Sequence, residues 1–113
     1  MTARVVLSYG IYDGFTPMHV ARLQALSRLG NRLIIGVASD ALCAAQGSYP
    51  HNTFEARAEL VARCRYVDRV IPQTEANQRY TDIVNYDISV FAMDARFTGA
   101  FDDLTALTQV HYL

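Results

Sequence analysis

Short apolar runs alternate along the chain with segments in which apolar residues recur every three or four positions. The runs predict five strands, at residues 4–9, 32–38, 68–71, 89–93 and 109–112. The periodic segments predict helices at residues 17–29, 54–64, 77–85 and 100–107, with a loop at 39–52 that has room for one helical turn. Strands separated by helices favour right-handed crossovers. We therefore predict an α/β fold with a five-stranded, mostly parallel sheet and helices on both faces.

Several residues predict where these elements begin and end. Thr16 is a good N-cap for the first helix, and Pro17 suits its first position. Gly30 is predicted to end this helix as the residue after its C-cap. Thr53 is the predicted cap of the second long helix, and Pro72 is predicted to end the third strand.

Composition narrows the function classes. The 113 residues, 51% of them hydrophobic, predict one compact domain spanning 1–113, and the net charge of −1 favours neither nucleic acid nor a membrane surface as a partner. All ten basic residues are arginines, which excludes a catalytic lysine and leaves arginine to bind phosphate. Cys43 and Cys64 lack metal-binding spacing and are expected to be free thiols, buried or partly buried. No secretory signal is visible, so a cytoplasmic location is expected.

The segment between the first strand and the first helix is the first candidate for a site. Parallel sheets bind ligands at the carboxyl ends of their strands, and a helix start offers free N–H groups to an anion. Gly10 would let a ligand approach the backbone, and His19 lies in the first turn of the helix. The alternative is that Thr16 only caps the helix and that His19 is an ordinary surface or core residue.

Four blocks of the sequence resemble the cytidylyltransferase family in order and spacing. Residues 10–19, GIYDGFTPMH, are similar to the family signature G-x-F-D-x-x-H-x-G-H. Residues 54–57 and 64–72, FEAR and CRYVDRVIP, resemble Y-E-x-R and R-Y-V-D-E-V-I-P. Residues 87–93 and 110–113 resemble I-D-V-F-V-M-G and V-V-Y-L, so the resemblance covers nearly the whole chain from Val5 to Leu113.

The resemblance implies a Rossmann-like fold, a homodimer and a transfer reaction. A phosphate ester such as glycerol 3-phosphate would attack the α-phosphorus of CTP, with Mg²⁺, and release pyrophosphate. The implied catalytic residues are His19 and Thr16, and Arg79 would bind the phosphate of the acceptor. The implied nucleotide-binding residues are Tyr9, Gly10, Ile11, Tyr12, Asp13, Arg57 and Arg65. For Arg57 and Arg65 the alternative is a solvated helix face or a surface ion pair. Subunits of the family pair through the block that corresponds to residues 65–68, and Tyr66 and Val67 would be the apolar part of this interface. The alternative is that both pack in the core of their own chain.

Departures from the signature fall on functional positions. Thr16 stands where the family has the first histidine, and Met18 stands where it has glycine. Neutral residues near Gln46 and Ser48 replace lysines, and residues 94–96, DAR, replace an acidic pair. The family also continues past the position of Leu113 with a segment that closes over the nucleotide, which the protein either lacks or carries outside this sequence. Two functions therefore stay open: a transferase with an altered site, using CTP or another nucleotide, and a weakened relative that only binds a nucleotide or a protein partner.

Overall fold

The computed structural model describes residues 2–113, which form one five-stranded sheet with the strand order β3-β2-β1-β4-β5. The strands are β1 (Val5–Gly10), β2 (Arg32–Ala38), β3 (Arg69–Gln73), β4 (Val90–Met93) and β5 (Gln109–Tyr112). All neighbouring strands run parallel, and Val6 of β1 pairs with Leu33 on one side and Val90 on the other. The predicted parallel α/β fold is confirmed.

Helices cover both faces of the sheet, as predicted. The helices are α1 (Pro17–Ser27), α2 (Asp40–Ala45), α3 (Phe54–Arg63) and α4 (Arg79–Asn85). Leu23 and Leu26 of α1 and Val61 of α3 pack on one face, against a core that includes Val6 and Leu33. On the other face, Ile83 of α4 and Leu104 pack against a second core that includes Val5, Leu7, Ile34 and Phe91. No helix within residues 2–113 is long and apolar enough to cross a membrane.

The predicted helix at 100–107 is wrong. This connection instead forms two short 3₁₀ segments, Ala95–Phe97 and Asp102–Ala106. The rings of Phe97 and Phe101 lie 5.9 Å apart, and Phe101 lies 5.3 Å from Phe91 in the core. These aromatic contacts pack the connection against the sheet.

Two predicted end signals act differently from expectation. Pro72 does not end β3 but lies within it, paired with Val37; β3 is an edge strand, where a missing N–H on the open side is tolerated. Helix α1 already ends at Ser27 with Arg28 as its C-cap, so Gly30 is not the residue after the cap. A Cβ at Gly30 would lie 2.2 Å from the carbonyl oxygen of Arg4, so glycine is needed there because two backbone segments approach closely.

The other signals are confirmed. Thr16 and Thr53 cap α1 and α3, accepting hydrogen bonds from the amides of His19 and Ala56. The one helical turn allowed for in the loop at 39–52 is α2, and Cys43 and Cys64 are free thiols, buried and half-buried.

Candidate functional site

The strand order places a crevice between β1 and β4. The chain moves outward from β1 to β2 and β3, then returns across the sheet to β4 and β5, so the direction of winding reverses between β1 and β4. Ligands of such sheets bind at the carboxyl ends of the strands at this reversal. The loop at residues 11–16 follows β1 at this point, and the segment from Asp94 onward follows β4. A salt bridge of 3.1 Å between Arg22 and Asp94 links α1 to the end of β4.

The loop after β1 has an unusual backbone. Tyr12 and Phe15 have positive φ angles of 57° and 38°, a conformation that costs non-glycine residues on the order of 1–3 kcal/mol each. The buried ring of Tyr12 folds back over Gly10, where an added Cβ would lie 2.5 Å from the ring carbon Cε2. Gly10 is therefore needed to accommodate Tyr12. The sequence predicted that glycine at this position lets a ligand approach the backbone. The structure instead shows that the Tyr12 ring fills the space that a side chain would take.

His19 and Thr16 form a reciprocal capping pair at the start of α1. The Thr16 hydroxyl accepts from the His19 amide at 3.4 Å, and the Thr16 amide donates to Nδ1 of His19 at 3.0 Å. Because Nδ1 accepts a hydrogen bond, the neutral imidazole carries its proton on Nε2. The pair therefore holds His19 with Nε2–H as a hydrogen-bond donor.

Aromatic contacts fix the orientation of the His19 ring. The centre of the Tyr12 ring lies 5.4 Å away at an interplanar angle of 62°, and that of Phe15 lies 6.2 Å away. Burial raises the pKa of Tyr12 to about 12, so this phenol is neutral near pH 7 and acts as an apolar wall. The imidazole is thus oriented before any ligand arrives.

Asp13 is occupied by the loop that leads into α3. Its carboxylate accepts from the amides of His51 and Asn52 at 2.8 and 3.1 Å, and from the Asn52 side chain at 3.0 Å. The hydrogen bond from His51, followed by those from Asn52, lowers the pKa of Asp13 despite its partial desolvation. The predicted nucleotide-binding residue Asp13 therefore holds two loops together through both of its oxygens.

This arrangement predicts a pH-dependent loss on replacing Asp13 by alanine. Because the folded state lowers the pKa of the carboxyl, its contribution is complete well above the unfolded value of about 3.9 and is lost as pH falls through the folded value. We expect Asp13→Ala to lower the free energy of unfolding at pH 7, and the difference from the parent to shrink below about pH 4. Urea unfolding at pH 3 to 7 measures this, with Glu75→Ala, at an exposed site, as control. A difference that stays constant over this range would contradict the assignment.

Arg57 is a buried clamp and has no accessible surface. Its guanidinium donates to the carbonyls of Asn52 and Ile11 at 3.0 and 2.9 Å and to the carboxylate of Asp40 at 2.8 Å. Arg57 does not present its fork to a nucleotide in this structure, and it is not on a solvated helix face. The predicted ion pair is present, with Asp40, but the arginine in it is buried. It joins the loop after β1 to the starts of α2 and α3, and so positions the candidate site.

Tyr9 and Ile11 also serve as supports rather than as exposed ligand contacts. The Tyr9 hydroxyl donates to the buried Asp82 of α4 at 2.6 Å, and burial followed by this hydrogen bond raises the pKa of Tyr9. The Ile11 side chain packs against the small cluster that includes Ala38 and Leu42, while its carbonyl accepts from Arg57.

Arg79 has the features of a prepared anion contact. Its guanidinium lies over the rings of Tyr80 and Phe101, with its carbon 4.8 and 5.2 Å from the ring centres, and Nη1 donates to the Ala76 carbonyl at 2.7 Å. Nε is buried and has no hydrogen-bond partner within residues 2–113. Because Nε is covered, an oxyanion would be met by the Nη atoms of the stacked guanidinium, and α4 begins on the carboxyl side of the sheet. Its role in binding the acceptor phosphate stays a prediction.

Arg65 does not join this group. It follows α3 and lies shortly before Asp68, whose amide donates to the Leu33 carbonyl near the amino end of β2. Arg65 is thus near the amino ends of the strands, away from the crevice. Its guanidinium carbon lies 5.6 Å from the centre of the Tyr66 ring. Tyr66 and Val67 pack against the core of their own chain.

Three supporting residues were missed by the sequence analysis: Arg22, Asp40 and Asn52. A signal existed for Asp40, because it directly follows Ser39, the N-cap of α2, at the carboxyl end of β2. For Arg22 and Asn52 the sequence offers no comparable signal.

Comparisons with known proteins agree with this geometry. A cytidylyltransferase-like family model matches residues 7–111. Over 108 residues the chain is 31% identical to the glycerol-3-phosphate cytidylyltransferase of Bacillus subtilis, covering 96% of this chain and 84% of that protein. The enzyme of the same name from Staphylococcus aureus is also 31% identical, over 96% of this chain and 82% of that protein.

The fold comparison is independent of close sequence similarity. The crystal structure of a lipopolysaccharide core biosynthesis protein from Thermoplasma volcanium superposes with a TM-score of 0.83, at 18% identity and with 99% of this chain and 97% of that chain covered. The family match over most of the sequence, the two relatives and the crevice at the reversal point lead to one conclusion: the chain belongs to the cytidylyltransferase-like family.

Proposed function

We propose that this protein transfers CMP from CTP to a small phosphate ester, in the crevice between β1 and β4. The observation that carries the proposal is the locked imidazole of His19, which holds Nε2–H as a donor at the start of α1. Relatives named for glycerol 3-phosphate and for ethanolamine phosphate support a phosphate ester as the acceptor class.

The proposed step needs charge stabilisation more than it needs a base. An oxygen of the acceptor phosphate forms a bond to the α-phosphorus of CTP while the bond to the β-phosphate oxygen breaks, and pyrophosphate leaves with that electron pair. Nε2–H of His19 donates to the phosphoryl oxygens on which negative charge accumulates. Arg79 binds the phosphate of the acceptor through the Nη donors of its stacked guanidinium and so holds the nucleophile in place.

The residues of the chain fit a magnesium ion carried by the nucleotide. Within residues 2–113 no group of three or more potential metal ligands occurs, whereas Mg²⁺ commonly uses one or two carboxylates together with substrate phosphates and water. Asp94, directly after β4, would make such a contact by giving up its salt bridge to Arg22. When bound, the ion would neutralise charge on the phosphates.

A second candidate function is nucleotide binding without transfer. Two residues favour it. Thr16 caps α1 through its hydroxyl at the position where the family has a histidine, and Met18, which replaces the family's glycine, is 81% exposed beside it. The two functions are separated by ³¹P NMR of the chain with CTP, Mg²⁺ and glycerol 3-phosphate or ethanolamine phosphate. A transferase forms pyrophosphate and a CDP-linked alcohol together. A binding module shows CTP signals that shift without being converted.

Restoring the family motif should increase activity. The double variant Thr16→His with Met18→Gly adds a second imidazole and removes the bulky side chain beside it. One such donor is typically worth about 10²–10³ in rate, so we expect at least a tenfold increase in pyrophosphate release. The control is Thr16→Ser with Met18→Gly, which keeps the cap and the space but adds no imidazole. Loss of the cap costs about 0.5–2 kcal/mol and the glycine about 1 kcal/mol, so unfolding is measured in parallel. A stable double variant with readily measured but unchanged activity would show that position 16 is not on the reaction path.

We also propose a homodimer formed through residues 65–68. Arg65 lies away from the crevice of its own chain, so it would reach a nucleotide only in a partner subunit. Tyr66 and Val67 are half-buried and keep some accessible surface that a partner can cover. Sedimentation equilibrium at micromolar concentration should give twice the chain mass of 12.6 kDa, and a monomer mass throughout would contradict the proposal.

A further inference from the structure

A cavity lies at the amino ends of the strands, on the side of the sheet opposite the crevice. It has a volume of about 290 Å³ and is lined by Val5, Arg32, Ile34, Asp68, Arg69 and Tyr86. Arg32 and Arg69 are the first residues of β2 and β3, so the cavity is at the amino ends of the strands. It shares no residue with the crevice, and the proposed transfer reaction does not use it.

The sheet register directs two arginines to the same face. Val5 pairs with Arg32, and Ile34 pairs with Arg69. Paired residues of neighbouring strands point to the same side, as do alternate residues of one strand, so these four side chains share the face covered by α4. The strand spacing and the rise per residue place the Cα atoms of Arg32 and Arg69 about 8 Å apart, above a floor made of buried Val5 and Ile34.

Both guanidinium groups have free donors. Within residues 2–113 neither side chain makes a salt bridge or donates a hydrogen bond. Arg69 lies over the Tyr86 ring, with its guanidinium carbon 4.9 Å from the ring centre, a contact that orients the fork and leaves its N–H edge free. The carboxylate of Asp68 already accepts from the Leu33 amide at 2.7 Å and is a single charge against two arginines.

We propose that this cavity binds a phosphate monoester. Two arginines that line one cavity from neighbouring strands can both donate to a doubly charged phosphate, and the apolar floor with Tyr86 matches an organic group attached to it. The site is separate from the one that takes CTP and the acceptor.

Arginine side-chain NMR tests the proposal on the intact protein. Because the chain has no lysine and ten arginines, its Nε–H signals report all of its cationic side chains, and those of Arg32 and Arg69 are assigned by their loss in Arg32→Gln and Arg69→Gln. Phenyl phosphate is the probe, with inorganic phosphate for comparison. We expect saturable shifts at both signals, tighter binding of phenyl phosphate, and about tenfold weaker binding in either variant. Arg28→Gln, an exposed arginine outside the cavity, should change binding less than twofold.

Three results would overturn the proposal. Shifts confined to Arg79 would mean that the probe binds only at the crevice. Equal weakening by Arg28→Gln would mean that the probe responds to general charge. A change in sedimentation mass in the Arg32 and Arg69 variants, with no saturable binding in the parent, would identify this face as a contact between copies of the chain. None of these results bears on whether CTP is converted.

Discussion

Replacing Arg57 by alanine is expected to lower the free energy of unfolding by about 3–4 kcal/mol. The variant removes a fully buried side chain and leaves the carbonyls of Ile11 and Asn52 without their donor. Asp40 is 56% exposed, so its charge is rehydrated and adds little to the loss. The cost therefore arises from the cavity and from the two unsatisfied carbonyls, and urea unfolding at pH 7 measures it.

Two variants separate the clamp from simple loss of charge. Arg63→Ala removes an ion pair with Glu59 whose side chains are 75% and 62% exposed, and it should cost less than about 0.5 kcal/mol. Asp40→Asn keeps an acceptor near the Arg57 fork and should have an intermediate effect. If Arg57→Ala were no more damaging than Arg63→Ala, Arg57 would not position the site.

Replacing His19 is expected to have the largest effect on activity. His19→Ala should reduce pyrophosphate release about 10²–10³-fold, because it removes a preoriented donor to the transferring phosphoryl group. The same variant loses one half of the capping pair and should be slightly less stable.

His19→Glu is the matched control for this capping role. Glutamate at the third helical position accepts from the backbone amide of the cap residue, as Nδ1 of His19 does, but it has no N–H to donate. It should keep the stability of the parent and lose activity as His19→Ala does. A His19→Glu enzyme that works within about threefold of the parent would mean that His19 only caps the helix, which would contradict the transition-state role assigned to it.

The fold was predictable because its signals are local and repeated. Runs such as residues 33–38 are free of charged or polar side chains, as expected of strands covered on both faces. Thr16 and Thr53 mark helix starts through contacts three residues away. Local signals failed where a distant neighbour decides the conformation. Pro72 is tolerated because β3 is an edge strand, and the segment at 95–106 is shaped by aromatic contacts with Phe91.

The location of the candidate site was predictable, but the roles of its residues were not. The motif around Gly10 and His19 does lie at the carboxyl end of β1, beside the reversal point. Asp13 binds His51, which is 38 residues away, and Arg57 binds Ile11, which is 46 residues away. A motif does not indicate whether the polar atoms of its charged residues face a ligand or another loop. A buried donor without a partner among the described residues, such as Nε of Arg79, becomes visible only once its neighbours are placed.

We propose that CTP binds in the crevice with its phosphates at His19, and imidazole NMR tests this binding mode most directly. The chain has three histidines, so ¹⁵N-labelled His19, His51 and His111 give a small set of ring signals that single substitutions assign. On titration with CTP and Mg²⁺ we expect a saturable shift of Nε2 of His19, with Nδ1 keeping the signature of a hydrogen-bond acceptor and His111 unchanged. CTP binding detected by calorimetry without any change at His19 would contradict the account.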